Sequence, residues 1–206
     1  MYLKKRANKV VIVGTIASDL TFNHEVYGEK FYSTNISIKR RSDSEDVIPL
    51  IISEKHINML EDMNGKRVKV FGEFRSRNVP GEEKRKLVLS VFVKHLEVTD
   101  ENEEDNNYIY LDGYVCKEPI YRKTPMGKEI TDLLIAVNRS TKVSDYIPCI
   151  AWGKAANFAS NIKVGSHVQM YGRIQSREYT KKVSETEIEK RTAYEVSANR
   201  LVLCSD

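Results

Sequence analysis

The sequence is written twice, and this repetition constrains the fold more than any other feature. Shifted by 99 positions, Asn8 falls on Asn107, Gly14 on Gly113, Gly28 on Gly127, Ile36 on Ile135, Arg40 on Arg139, Pro49 on Pro148 and Ile51 on Ile150. One further residue of shift brings Gly65 onto Gly165, Gly72 onto Gly172, and Ser76-Arg77 onto Ser176-Arg177. Glycine marks turns or close backbone approach and proline fixes φ, so an ordered series of such matches implies matched backbone paths. A chain of 206 residues repeated in this way is a duplicated domain, with copies of about 100 residues that lie within the usual size range.

Between the copies runs Thr99-Asp100-Glu101-Asn102-Glu103-Glu104-Asp105-Asn106-Asn107. It has no apolar residue and dense like charge, so it predicts a solvated, mobile linker over 99–107, between a first domain at 1–98 and a second at 108–206. The net charge of +4 conceals this layout. Residues 1–98 carry 18 Lys and Arg against 13 acids, and residues 106–206 carry 15 against 11. Two basic domains flank an acidic connector, which permits a polyanionic partner without naming one. Apolar runs such as Val10-Val11-Ile12-Val13 are too short to span a bilayer as a helix, and no apolar signal region follows the basic N-terminus. Cys116, Cys149 and Cys204 have no metal-ligand spacing and leave an odd thiol, which fits a reducing cytoplasm. No metal or cofactor is expected.

Each copy reads as five strands and one short helix. In the first, 9–17 and 31–40 are rich in β-formers, with Ile36 and Ile38 alternating. Residues 46–53 form a third strand, in which Pro49 signals an edge or a bulge. Ser53 caps a helix over 54–63 that puts Ile57 and Leu60 on one face and ends at Gly65. Strands over 67–77 and 85–98 close the domain. The second copy repeats the order at 107–116, 129–139, 144–152, a helix near 154–161, then 166–179 and 190–203. A helix between the third and fourth of five strands is the order of the OB-fold, so the expected class is all-β, with two tandem OB barrels.

Three stretches of the second copy carry more than a fold. They are Asp132-Leu-Leu-Ile-Ala-Val-Asn-Arg139, Asp145-Tyr-Ile-Pro-Cys-Ile-Ala-Trp-Gly-Lys154, and Val164-Gly-Ser-His-Val-Gln-Met-Tyr-Gly-Arg-Ile-Gln-Ser-Arg-Glu-Tyr179. Together they resemble the bacterial single-stranded DNA-binding protein family. That family shows a strand ending in Asn-Arg, an aromatic strand leading to an aromatic-Gly-Lys turn, and a Gly-Arg-Ile/Leu-Gln-Ser/Thr-Arg-aromatic strand. The resemblance covers nearly all of 107–203; the first copy matches in outline only, through Gly14, Pro49, Gly72 and Ser76-Arg77. Tandem members of the family and related primosomal OB proteins are known.

The resemblance places Tyr146, Trp152 and Tyr179 at the family's base-stacking positions. Stacking is worth about 1–3 kcal/mol per base and tolerates any sequence, because every base has a π-face. Arg139, Lys154, Arg173 and Arg177 lie among these aromatics as phosphate or cation–π partners, and Arg122 and Lys123 lie in the loop after the first strand. Lys181, Lys182, Lys190 and Arg191 fall in or near a long loop before the last strand, but they mix with glutamates as solvated surface does. A lone strand tryptophan is ordinarily core; Ala151 before Trp152 and Gly153-Lys154 after it reverse that reading. Tyr108, Tyr110 and Tyr114 alternate in the first strand and read as packing or interface residues.

The first copy has Val47, Ser53 and Val79 at the three platform positions. It keeps Lys39, Arg40, Arg41, Arg75 and Arg77, with Phe31, Tyr32 and Phe74 nearby. It is therefore either a weaker backbone-binding site, which the cations favour, or a structural barrel. The implied function is non-catalytic binding of single-stranded DNA with little sequence preference, in replication, recombination or repair. An RNA-binding or primosomal OB protein, or a non-binding OB scaffold, is the alternative. A nuclease would need clustered carboxylates or histidines, and the densest acids lie in the connector. The family's single-barrel members work as tetramers, so a homodimer with four barrels is expected. Its edges would be strands such as Val10-Val11-Ile12-Val13 and Tyr108-Ile109-Tyr110-Leu111, unless the two barrels pack on each other. The family's acidic, apolar-tipped tail has no counterpart in Leu201-Val-Leu-Cys-Ser-Asp206, so partners recruited through a tail are not expected.

Overall fold

Alternating burial runs along most strands of the computed structural model, which describes residues 7–40, 42, 44–57, 62–80, 86–182 and 188–204. The first half contains β1 (Asn8–Ile16), β2 (Thr21–Val26), β3 (Glu29–Lys39), β4 (Glu45–Ser53), β5 (Arg67–Val79) and β6 (Lys86–Val98). The second contains β7 (Asn106–Val115), β8 (Ile120–Lys123), β9 (Glu129–Asn138), β10 (Ser144–Trp152), the helix α1 (Lys154–Ala159), β11 (His167–Lys182) and β12 (Ile188–Leu203).

Each half closes into a barrel in the same way. In the first, β1 pairs with β5 on one side and meets β3 on the other at Thr15↔Ser37, and β4 meets β6 in parallel at Leu50↔Val91. In the second, β7 pairs with β11 and β9, and β10 meets β12 in parallel at Cys149↔Val196. The matched glycines make this closure possible. At Gly14 and Gly113 a Cβ would collide with the carbonyl oxygen of Ser37 or Ala136, where the first strand swings onto the opposite sheet edge. Gly72 and Gly172 sit at equivalent bulges, each against a facing carbonyl. Inward residues such as Ile12, Ile36, Leu50, Val70 and Phe74 fill the first barrel; Leu111, Ile135, Ile147, Met170 and Ile174 fill the second. The expected pair of OB barrels is the observed architecture.

Local differences have simple causes. Ser53 caps a turn, accepting from the Lys55 amide (3.2 Å), but the turn is 3-10 and spans Glu54–His56. Ile57 is already extended (φ −131°, ψ 142°); the rest of the expected helix at 58–61 lies outside the described residues. Arg122 and Lys123 are on the short strand β8 rather than in a loop, because β9 is long enough to pair with them. The expected long loop before the last strand is mostly hairpin: β11 and β12 pair from Val168↔Leu203 out to Lys182↔Ile188.

The connector departs from expectation as well. Arg67 donates to the Glu103 carbonyl (2.7 Å) and pairs with Asp105, and Lys69 pairs with Glu103 (3.0 Å). Glu103 and Asp105 are thus laid against cations of the first barrel, while Asp100, Glu101 and Glu104 stay exposed, and β7 begins at Asn106.

The two barrels share one continuous sheet. β1 and β7 pair antiparallel from Asn8↔Leu111 to Val13↔Asn106, placing β1 and β7 at the centre of a 12-stranded order that ends at β2 and β8. The strand edges expected to pair between chains therefore pair with each other inside one chain. A reciprocal clasp reinforces the junction. Buried Asp46 takes two hydrogen bonds from Arg40 (2.5 and 2.9 Å) and one from the Ser176 amide (2.8 Å), while Arg40 also reaches the Ser176 carbonyl (3.1 Å). In the other direction, buried Asp145 takes two from Arg139 (2.5 and 2.7 Å) and one from the Ser76 amide (2.7 Å), and Arg139 reaches the Ser76 carbonyl (3.2 Å). The serine hydroxyls accept from the Val47 and Tyr146 amides (3.1 and 2.8 Å). Among the described residues, no helix is long and apolar enough to cross a membrane, and the three cysteines are free.

Candidate nucleic-acid interface

Strand alternation decides which side chains of β10 look outward. Ile147, Cys149 and Ala151 enter the core, so Tyr146, Pro148, Ile150 and Trp152 share the outer face. Tyr146 is 44% exposed and Trp152 38%. The tryptophan is thus not core: its indole N–H donates to Ser197 Oγ (3.2 Å) and orients the ring on the barrel surface. On β11, Met170, Gly172 and Ile174 point inward while Arg173 and Gln175 alternate with them. Beyond the barrel, Arg177 and Tyr179 continue that row along the hairpin. Tyr179 is 38% exposed, with the Arg177 guanidinium 5.9 Å from its ring centroid. Lys154, at the start of α1, is exposed next to Trp152. The second barrel therefore presents three half-exposed rings and several cations on its outer surface.

The remaining candidate cations separate into those with a structural partner and those without. Arg40 and Arg139 are held in the clasp, where the buried carboxylates raise their guanidinium pKa values above the usual range. Their hydrogen-bonding capacity goes to the barrel junction. Arg122 is bidentate to Asp132 (2.6 and 3.1 Å), Arg75 is bound to Glu73 (2.6 and 3.1 Å), and Arg173 lies 3.6 Å from Asp46. Lys39, Arg77 and Lys123 are exposed; Arg41 lies outside the described residues. Lys190 and Arg191 are on β12, with Arg191 bound to Glu189 (2.7 Å).

Of the first barrel's aromatics, Phe74 is fully buried core and Phe31 is 8% exposed. A group that sequence reasoning missed lies on the outer face. Phe92 points outward between core residues Val91 and Val93, and the Arg75 guanidinium sits 3.9 Å over its ring. Phe31 tilts against Phe92 (5.6 Å), and His24 stacks on Phe31 (4.8 Å, 6°). The run Val91-Phe92-Val93 is apolar throughout, so periodicity alone does not tell which of its residues faces out. Among the described residues, no three His, Cys, Asp or Glu side chains come together as a metal site.

Comparison with known proteins agrees with this geometry. Residues 106–204 match the family described as the single-strand binding protein family. Single-stranded DNA-binding protein 2 of Listeria innocua is 37% identical over 93 residues, 40% of this chain and 58% of that protein. Single-stranded DNA-binding protein A of Bacillus subtilis is 35% identical over 80 residues, 35% of this chain and 46% of that protein. The chain thus spans about half the length of these relatives. In overall fold it is similar to the wild-type single-stranded DNA binding protein from Thermus aquaticus, with a TM-score of 0.76 at 19% identity over 97% of this chain and 93% of that one. A deletion mutant of the same Thermus protein aligns with a TM-score of 0.75 at 20% identity, over 97% and 95% of the two chains.

Proposed function

The chain belongs, through residues 106–204, to the single-strand binding protein family, and from that premise we propose that it binds single-stranded DNA with little sequence preference, serving replication, recombination or repair without catalysing a reaction. The observation that carries this reading is the outer face of the second barrel, where Tyr146, Trp152 and Tyr179 stand half-exposed beside Lys154, Arg173 and Arg177. Flat rings take bases of any identity and the cations take phosphates, which is the chemistry of sequence-tolerant single-strand binding. Three free thiols suit a reducing cytoplasm.

The test compares oligo-dT, duplex DNA and RNA of equal length at two salt concentrations. Tighter binding of the single strand, weakening with salt as counterions are released, is expected; equal affinity for duplex and single strand overturns the reading. Trp152 is the only tryptophan, so quenching of its fluorescence at saturating oligo-dT reports the site directly.

The proposed assembly is a homodimer, in keeping with the four barrels of the family's tetramers. Because β1 and β7 pair within the chain, we place the contact on the outer surface of that central sheet. There Phe71, Tyr108, Tyr110 and Tyr171 line a groove of about 520 Å³ that spans both barrels. Light scattering after size exclusion should give about twice the 23.7 kDa chain mass; the mass of a single chain at micromolar concentration removes the dimer.

A further inference from the structure

Tyr146 belongs to the second barrel by sequence, yet its backbone is fastened to the first. Its amide donates to Ser76 Oγ (2.8 Å) on β5, and its side chain lines a cleft of about 850 Å³ between the barrels. The opposite wall of that cleft carries Phe92, Arg75 and Arg77 of the first barrel. Resting on the single-strand reading above, we propose that this inter-barrel cleft is a second single-strand subsite, which takes bases between Tyr146 and the Arg75–Phe92 pair and their phosphates at Arg77 and Lys142.

Ring placement supports this. Tyr146 and Trp152 share one face of β10 but are six residues apart, about 20 Å at strand rise, too far for one base to touch both. Trp152 therefore serves one subsite and Tyr146 another. The Arg75 guanidinium, already 3.9 Å over Phe92 and pinned by Glu73, offers a preset flat cation on which a base can stack.

The charges fit a phosphate ligand. Arg77 and Lys142 are exposed on the cleft and have no ion-pair partner among the described residues, whereas Arg139 on the same wall is already satisfied by Asp145. Lys142 also holds φ 62°, a left-handed conformation that glycine adopts without strain and lysine rarely does. Together these side chains give the divergent first barrel a stacking surface of its own, built from residues other than Val47, Ser53 and Val79.

A double-mutant cycle on the full chain tests the assignment, using an oligo-dT of roughly 35 nucleotides, longer than the about 4–16 nucleotides one barrel covers. Tyr146→Ala and Phe92→Leu should each weaken binding about tenfold. Combined, they should lose no more than about twofold beyond the worse single variant, because they act in one subsite. Tyr146→Ala and Trp152→Leu should instead multiply, as separated sites do. Coupling of Tyr146 to Trp152, with or without coupling to Phe92, overturns the subsite, as does an effect of Phe92→Leu below about twofold. Circular dichroism checks folding, and the exposed Arg77→Gln replaces Phe92→Leu in the same cycle if the fold does not tolerate leucine. Failure of the wild-type chain to bind oligo-dT would defeat the function itself; wild-type binding without the expected coupling defeats only the cleft.

Discussion

At the start of β5, Arg67 and Lys69 reach down to the connector acids Glu103 and Asp105. At the equivalent positions of β11, His167 and Gln169 reach Asp112 on their own neighbour β7, at 2.6 and 3.1 Å. The backbone is the same and the polar partners differ. The outer faces differ in the same way. Trp152 donates to Ser197 in the second barrel, whereas the first has Ser53 at the tryptophan position and Phe92 at the serine position. The core of the junction is shared: Asp46–Arg40–Ser176 and Asp145–Arg139–Ser76 are the same contact made in both directions, although Arg173 adds a cation 3.6 Å from Asp46 where the matching residue of the first barrel is Glu73. The residues of this clasp are alike in both halves, whereas most of the outward-facing ones differ, the pair Arg77 and Arg177 excepted.

The largest expected effect tests the shared part of this comparison. Asp145→Asn and Asp46→Asn each remove the carboxylate from a buried ion pair, which costs about 3–5 kcal/mol, towards the lower end because each arginine keeps some exposure. Urea unfolding of the two variants should agree within about 1 kcal/mol; a much larger gap would mean that the two clasps are not equivalent. Next comes the part that has diverged. Tyr179→Ala should weaken oligo-dT binding by about 1–3 kcal/mol, while Val79→Ala at the matching position should stay within about twofold. Similar losses from both would erase the difference between the barrel that carries rings at these three positions and the one that has Val47, Ser53 and Val79 there. A smaller effect is expected from Arg77→Gln and Arg177→Gln, each lowering the slope of log affinity against log salt by about 1. A flat response to Arg77 alone would make the first barrel a passive one.

The smallest effect concerns Asp112. Burial pushes its carboxyl pKa up, but hydrogen bonds from His167, Tyr110 and Gln169 outweigh this and hold it below the ordinary value. A depressed carboxylate stabilises the fold above its unfolded pKa and loses that contribution as pH falls through its folded value. Wild type should therefore lose stability over Asp112→Asn as pH drops below about 4, by less than about 1 kcal/mol given its partial exposure. Parallel acid titrations of the two proteins would show that the pair contributes nothing.

The barrels were legible in the sequence because glycine and proline sit where the backbone has no alternative. Gly14, Gly72, Gly113 and Gly172 mark closures and bulges that exclude a Cβ. The rings Tyr146, Trp152 and Tyr179 were legible from flanking motifs. The clasp was not, although its members Arg40, Arg139, Ser76 and Ser176 all stood out as repeats. Nothing in a strand tells an arginine facing a ligand from one facing a buried aspartate six residues on. Two of the connector's acids escaped the sequence for a related reason: Glu103 and Asp105 read as solvated until Lys69 and Arg67 are placed beneath them, whereas Asp100, Glu101 and Glu104 are exposed as expected. Strands β2 and β8 were missed because they are short and largely exposed and carry little alternation.

The pairing of β1 with β7 also has a consequence in time. Val10 meets Ile109, and Val11 meets Tyr108, partners about a hundred residues apart along the chain. At a synthesis rate of about 5–20 residues per second, the edge of β1 leaves the ribosome roughly 5–20 seconds before its partner exists. The first barrel cannot close until β6 ends at Val98, so for most of that interval β1 displays an apolar, β-branched edge with open hydrogen-bonding groups. On a crowded messenger the nearest strand of matching character is the β1 of a neighbouring nascent chain. Slower translation between β1 and β7 lengthens that exposure.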